Sequence, residues 1–291
     1  MSASLNAGNR IAVSLAAHDT DSCLAILHQT AAWVGLAEVC LDGMASFDLP
    51  RIVGQSPCPL IVTCRPPREG GAFSGSEAER IGILAQAMAL GCAYVDVEWD
   101  SLAALRKRSG PTRTRLIVSR HWMETMPGQE QLWQAYCTLR PRADVVKLVG
   151  KAHRLVDVLP ILGLLRRADG PMIALAMGEA GRLTRLLAPC FSHSLLTFAA
   201  PAAGAATAPG QFSVQELVDL YRLGAAGPYT AARLHLCTEA VPDEEIRAWN
   251  AAEQAGTVLH VPVVIAPDEA DSIIAALRGC LPDHITLCLT R

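Results

Sequence analysis

Apolar residues in the first two hundred positions come in short bursts. They are IAVSLAA (11–17), WVGLAEVCLD (33–42), PLIVTCR (59–65), YVDVEWD (94–100), RLIVSRH (115–121), DVVKLVG (144–150), MIALAMG (172–178) and SLLTFAA (194–200). Each is the length of a buried strand. Most are separated by stretches of helical periodicity. GSEAERIGILAQAMALG (75–91) is the clearest, with Ile81, Leu84, Ala85 and Met88 on one face and Ser76 placed as its cap. GQEQLWQAYCTLRP (128–141) and LVDVLPILGLLRRADG (155–170) read as further helices, Pro160 marking a kink or a first turn. The gap from Gly43 to Cys58 is short, so the helix there is expected to be brief or irregular.

Regular alternation of strand and helix predicts α/β architecture. Eight such units in about two hundred residues predict a closed (β/α)8 TIM barrel. A doubly wound sheet would want a glycine-rich phosphate turn after the first strand, and HDTDSC stands there instead. In a barrel, functional side chains gather where strands end. The polar residues there are Glu38, Asp42, Arg65, Glu98, Asp100, His121 and Lys147. Lys147 is the anomaly, a lysine inside the apolar run DVVKLVG. An edge strand with a solvated lysine is one reading. A reactive amine aimed into a site is the other.

Composition narrows the function. Apolar residues make up 51% of 291 positions and charged residues only 18%, enough for a large core and unlike a disordered chain. The net charge of -3 and the absence of a basic–aromatic stripe argue against nucleic acid. RKRSGPTRTR (106–115) is short and reads as a solvated turn. The ten cysteines show no paired spacing, which fits reduced thiols in a cytoplasmic protein better than disulfides or a zinc site. The start MSASLNAGNR has no apolar signal region, and no run is long enough to span a membrane.

Several segments, in order, resemble the type I 3-dehydroquinate dehydratases of the shikimate pathway. They are AEVCLD (37–42), TCRPPREGG (63–71), YVDVEW (94–99), SRHWMETMP (119–127), DVVKLVG (144–150), MGEAGRLTR (177–185) and APGQFSVQEL (208–217). The resemblance implies a barrel enzyme that converts 3-dehydroquinate to 3-dehydroshikimate through an imine, with no cofactor and no metal. By that resemblance Lys147 is the imine lysine, His121 the general acid/base and Glu69 its acidic partner. Arg185 binds the substrate carboxylate, while Glu38, Arg65, Thr207 and Gln211 complete the substrate site, the last two on the covering loop PAAGAATAPGQ. Thr207 stands where a serine is usual. One departure lies on the second strand, where the family pattern E-x-R-x-D appears as Glu38-Val39-Cys40-Leu41-Asp42. Loss of that arginine leads us to expect surviving but weak activity.

The residue types suit the chemistry. A neutral lysine amine condenses with a ketone, and the protonated imine then accepts the electrons of a departing C–H bond. Free lysine titrates near ~10.4, so the apolar surroundings and positive neighbours are expected to lower Lys147. Alternation turns Val146 and Leu148 to the opposite face, so other strands, through residues such as Met177, must supply its apolar wall. His18 also ends a strand but is expected to be structural. Each residue alone also has an ordinary reading: a strand-end histidine, a turn glutamate, a solvated helix arginine, a glutamine lining a helix start.

The division is expected at residue 222, with a barrel over 1–222 and a small incomplete α/β domain over 223–291. LHLCT, DEEIRAWNAAEQAG, VLHVPVVI, DEADSIIAALRGC and ITLCLT read as strand, helix, strand, helix and strand. This segment distantly resembles the start of the substrate-binding domain of shikimate dehydrogenase. That family's paired serines and catalytic lysine are not evident, and no nicotinamide domain follows, so dehydrogenase activity is not expected. The segment reads as a relic, a packing domain or a homodimer surface. The leading expectation is therefore a dehydratase whose partner is a small-molecule substrate, with neither nucleic acid nor membrane. An imine aldolase and a catalytically weak or inactive barrel that senses a pathway metabolite are the competing readings.

Overall fold

A computed structural model describes residues 9–227 and 230–289. The start and end of the sequence, including the last residue of ITLCLT, lie outside the described residues. All eight apolar bursts are strands: β1 (Ile11–Leu15), β2 (Leu36–Cys40), β3 (Leu60–Thr63), β4 (Tyr94–Glu98), β5 (Arg115–Trp122), β6 (Val145–Lys151), β7 (Met172–Met177) and β8 (Thr197–Ala199). The strands are parallel and follow one another in order from β1 to β7, with β8 on the outer side of β1. A parallel bridge between Met172 and Ser194, just before β8, brings the two ends of the sheet together. The Leu195 amide donates to the Met172 carbonyl at 2.8 Å there. The sheet is therefore a nearly closed barrel.

Helices α1 (Thr20–Thr30), α2 (Leu49–Gln55), α3 (Glu77–Ala89), α4 (Leu102–Arg108), α5 (Gln129–Leu139), α6 (Leu159–Arg167) and α7 (Arg182–Leu187) connect successive strands. The eighth unit closes with a π-helical turn, Glu216–Leu220. The short interval between β2 and β3 holds only a 3-10 turn and the seven residues of α2. Ser76 caps α3 with Glu79 completing the reciprocal pair, and Pro160 lies in the first turn of α6, where its missing N–H costs nothing. The helix-facing residues Val146 and Leu148 are fully buried. Their neighbours Lys147 and Val149 face inward, as a period of two requires.

After the barrel come β9 (Ala231–Cys237), α8 (Asp243–Ala251), β10 (Val258–Val264), α9 (Ala270–Cys280) and β11 (Ile285–Leu289). They form a separate parallel sheet in the order β10-β9-β11. Helix α9 packs on α6, and β10 reaches α7. Arg166 also donates to the Gly279 carbonyl at 2.8 Å. Among the described residues, no helix is long and apolar enough to cross a membrane.

Candidate active site

At the C-terminal mouth of the barrel lies a cavity of about 450 Å³. It is lined by every residue expected to form the site: Glu38, Arg65, Glu69, His121, Lys147, Arg185, Thr207 and Gln211. Lys147 projects from β6 and is 3% exposed. Its Nζ donates to Asp96 Oδ2 at 2.7 Å and to Glu38 Oε1 at 3.0 Å. The ring of Phe198 on β8 lies 4.5 Å from the same nitrogen. Met177, Leu175 and Val149 complete the apolar wall.

The charge state of this lysine departs from expectation. Burial disfavours the ammonium, yet Asp96 and then Glu38 more than offset it, so the pKa is raised rather than lowered. At rest Lys147 is an ammonium. The expectation counted apolar neighbours and positive charge but missed Asp96. That carboxylate is held ionised, its burial outweighed by Lys147 and Arg65. Arg65 Nη2 donates to the same Oδ2 at 3.0 Å.

His121 and Glu69 form the second element. Glu69 is buried in the 3-10 turn Pro67–Glu69, and Gly70 then takes a φ of 81°, a left-handed conformation that suits glycine. At Gly71 a Cβ would meet the Arg65 carbonyl at 2.0 Å, so the doubled glycine lets the loop fold back over β3. Asp42 pins that loop by accepting from the Arg65 amide at 3.0 Å and the Ala72 amide at 2.9 Å. Glu69 Oε2 thereby sits 2.9 Å from His121 Nδ1 and accepts from the His121 amide at 3.2 Å. Burial and then Glu98 push the Glu69 carboxyl up to about 8. Burial, Arg65 and Lys147 hold His121 well below the usual imidazole range. Near neutrality the pair is a protonated Glu69 beside a neutral imidazole whose Nδ1 faces the carboxyl.

Arg185 on α7 is 2% exposed, not the solvated residue its place on a helix would allow. Its Nη2 donates to the Pro209 carbonyl at 3.3 Å, while its buried Nε has no partner among the described residues. Burial and then Arg182 lower its pKa to about 10. A buried guanidinium with spare donors on a cavity is suited to receiving an anion. Above it the loop after β8 covers the cavity. Gln211 Oε1 accepts from the Thr207 amide at 2.9 Å, and the two side chains also bond.

A family model described as type I 3-dehydroquinase matches residues 11–227. The chain belongs to the type I 3-dehydroquinase family. It is 35% identical to a 3-dehydroquinate dehydratase of Methanococcus maripaludis over 193 residues, 65% of this chain and 87% of that one. It is also 35% identical to the chloroplastic bifunctional 3-dehydroquinate dehydratase/shikimate dehydrogenase of Arabidopsis thaliana, covering 67% of this chain but only 34% of that protein. Among solved structures, the 3-dehydroquinate dehydratase of Geobacillus kaustophilus aligns with a TM-score of 0.64 at 25% identity, covering 72% of this chain and 88% of that one. The dehydroquinate dehydratase and shikimate dehydrogenase of S. pombe aligns over 97% of this chain and 57% of its own, with a TM-score of 0.64 at 22% identity. That alignment spans nearly the whole chain, so the likeness in fold includes the small sheet.

Two residues of the candidate site escaped the sequence reading. Asp96 sits inside YVDVEW, an acid between valines, and presents the same anomaly as Lys147. Ser14 interrupts IAVSL in the same way. Its Oγ donates to Glu38 Oε2 at 2.6 Å. Two polar residues placed at the rim do not line the cavity. Glu98 is buried against Arg80, and Asp100 pairs with Arg68 at 2.8 Å. Cys40, where the family arginine is absent, does line the cavity, 3.8 Å from Ser14 Oγ. Burial and then Glu38 push its thiol far up, so it stays protonated.

Proposed function

We propose that the chain dehydrates 3-dehydroquinate to 3-dehydroshikimate through an imine on Lys147. The observation that carries this reading is one cavity shared by three elements: a buried lysine between two carboxylates, a neutral His121–Glu69 pair, and the unsatisfied Arg185. In this reading Arg185 and the loop residues Thr207 and Gln211 seat the substrate, Arg185 taking its carboxylate. The Lys147 ammonium passes a proton to a neighbouring carboxylate, and the nitrogen attacks the ketone carbon. The carbonyl oxygen leaves as water and a protonated imine remains. His121 Nε2 removes the proton from the adjacent carbon, and the electron pair moves toward the imine nitrogen to give an enamine. The enamine then expels the β-hydroxyl, which His121 protonates, so a second water leaves and the imidazole is neutral again. Water hydrolyses the imine and frees Lys147. Arg65 and Glu38 position the substrate and the lysine.

The division near residue 222 is likewise our reading, supported by the two separate sheets. The scattered cysteines without paired spacing support our reading of a cytoplasmic location. The net charge of -3 supports a small molecule rather than nucleic acid as the partner. Homodimerisation completes the proposal and is tested by sedimentation.

The deciding assay is ultraviolet absorbance after adding 3-dehydroquinate, because the product is a conjugated enone. Borohydride with substrate should also add a reduced adduct to Lys147, read by mass. An adduct with rising absorbance supports the dehydratase. Tight binding with neither would favour the metabolite-sensing barrel, the reading that Cys40 supports.

A further inference from the structure

Four side chains form a directed chain from the covering loop to the lysine. Gln211 Nε2 donates to Thr207 Oγ1 at 3.1 Å, and Thr207 Oγ1 donates to Ser14 Oγ at 2.8 Å. Ser14 Oγ donates to Glu38 Oε2 at 2.6 Å, and the other oxygen of Glu38 accepts from Lys147 at 3.0 Å. A Glu38 carboxylate only accepts, so Ser14 donates to it and accepts from Thr207; the Thr207 hydroxyl also lies 3.3 Å from Gln211 Oε1, and Ser14 Oγ 3.8 Å from Cys40 Sγ. Ser14 has one proton, and with Thr207 in place that proton points to Glu38. Within the sheet Ser14 is the register partner of Glu38 on the neighbouring strand, so the contact is built into the barrel.

We propose that Ser14 is a positioning residue that couples the covering loop to the charge of Lys147 through Glu38. This rests on the imine reading above and deepens it. Before attack, Lys147 must give up a proton, and its neighbours offer two acceptors. Asp96 is the poorer one, because Arg65 donates to the very oxygen that faces Lys147. No arginine among the described residues hydrogen-bonds Glu38, although Arg65 lies near enough to feel its charge. Among the described residues Ser14 holds its second oxygen. While the chain is intact, that charge-assisted bond favours the Glu38 carboxylate and so keeps the proton on Lys147. When the loop lifts, Thr207 leaves Ser14, the hydroxyl is no longer oriented, and transfer to Glu38 becomes easier. Entry of substrate and release of the nucleophile are thereby timed together. Closure after attack restores an anionic Glu38 opposite the cationic imine. The other titratable groups facing Lys147 are Arg65 from the loop after β3 and the neutral His121 from β5, and among the described residues neither bonds Ser14.

The test measures Lys147 alone, without substrate. The intact protein is acetylated with acetic anhydride over a pH series, and the extent at Lys147 is read by peptide mass. At strongly alkaline pH the amine is free whatever Glu38 does. Near neutrality it is free only after transfer to Glu38, so labelling flattens to a plateau that reports that transfer. Ser14→Ala is expected to raise the plateau about tenfold relative to the alkaline limb, the loss of one charge-assisted bond. Thr207→Val is expected to do the same, the double variant to add nothing further, and Thr207→Ser to restore the wild-type ratio. A general opening of the cavity would scale plateau and limb together. An unchanged ratio in Ser14→Ala, additive effects in the double variant, or uniform scaling overturns the coupling. Absent turnover in the wild type would instead overturn the dehydratase reading and leave this measurement standing.

Discussion

The Glu69–His121 pair gives stability a pH dependence that one substitution should remove. Glu69 has its proton affinity raised in the fold, from an ordinary 4.5 to about 8, by burial and by Glu98. The folded state therefore binds this proton more tightly than the unfolded chain. The resulting stabilisation is fully present below about pH 4.5 and is lost as the pH rises through about 8. At 1.36 kcal/mol per unit, the full excursion is roughly 5 kcal/mol, and the part between about pH 5 and 7 is roughly 2–3 kcal/mol. That is a large share of the ~5–15 kcal/mol that holds a typical domain folded.

Glu69→Gln keeps the shape and removes the titration. The measurement is the urea unfolding free energy of both proteins at each pH, taken as wild type minus variant. Other ionisable groups, among them the depressed Asp96 and His121, act in both proteins and cancel to first order. A bond to His121 weakened by the amide shifts the difference by a constant and leaves its slope alone. The difference should fall steadily from acid to neutral pH, favouring the variant more as pH rises. Parallel curves, or a difference that grows with pH, would refute the assignment of the proton to Glu69.

His121→Asn should lower kcat by about 10²–10⁴-fold while borohydride still traps substrate on Lys147, since the imine forms before the C–H bond breaks. Asp96→Asn removes the closer of the two lysine partners and leaves Arg65 unpaired, so chemical denaturation should show a loss of about 3–5 kcal/mol. The same variant should trap substrate at lower pH than the wild type, because Lys147 loses the larger of the charges that hold it protonated. Cys40→Arg should raise kcat, and an unchanged value in steady-state assays would mean that the missing arginine is of no consequence in this barrel.

The strands were legible because a buried parallel strand is a short apolar run, and eight such runs recur at barrel spacing. The same simplicity concealed part of the site. A polar residue in the middle of a run was noticed at Lys147, where charge made it conspicuous. Asp96 and Ser14 carried the same signal in YVDVE and IAVSL; Ser14 and Lys147 line the cavity, and Asp96 is buried against Lys147. Strand ends were the weaker guide, since Glu98 also ends β4 but is claimed by Arg80, a partner that comes from helix α3. Helical periodicity places Arg80 on no catalytic rim, and only the folded chain shows that its guanidinium reaches the end of a strand. The charge on Lys147 was likewise out of reach, because its direction depends on how two carboxylates from β2 and β4 converge across the barrel.

That charge also bears on how the proposed chemistry is arranged. A lysine held as an ammonium is a poor nucleophile, and a site built only for attack would depress its pKa. Asp96 and Glu38 do the reverse. The nitrogen is neutral, however, only for the moment of attack. Before it stands the ammonium and after it the protonated imine, both cations at the same position. Carboxylates fixed at 2.7 and 3.0 Å stabilise the positive nitrogen on which electron withdrawal from the breaking C–H bond depends. Phe198 adds a ring face at 4.5 Å on the apolar side. The arrangement thus favours the cationic imine and places the cost on one proton transfer from Lys147. The acceptor of that proton is the part of the mechanism most exposed to control, and Glu38 is the acceptor tied by Ser14 to the loop that admits substrate.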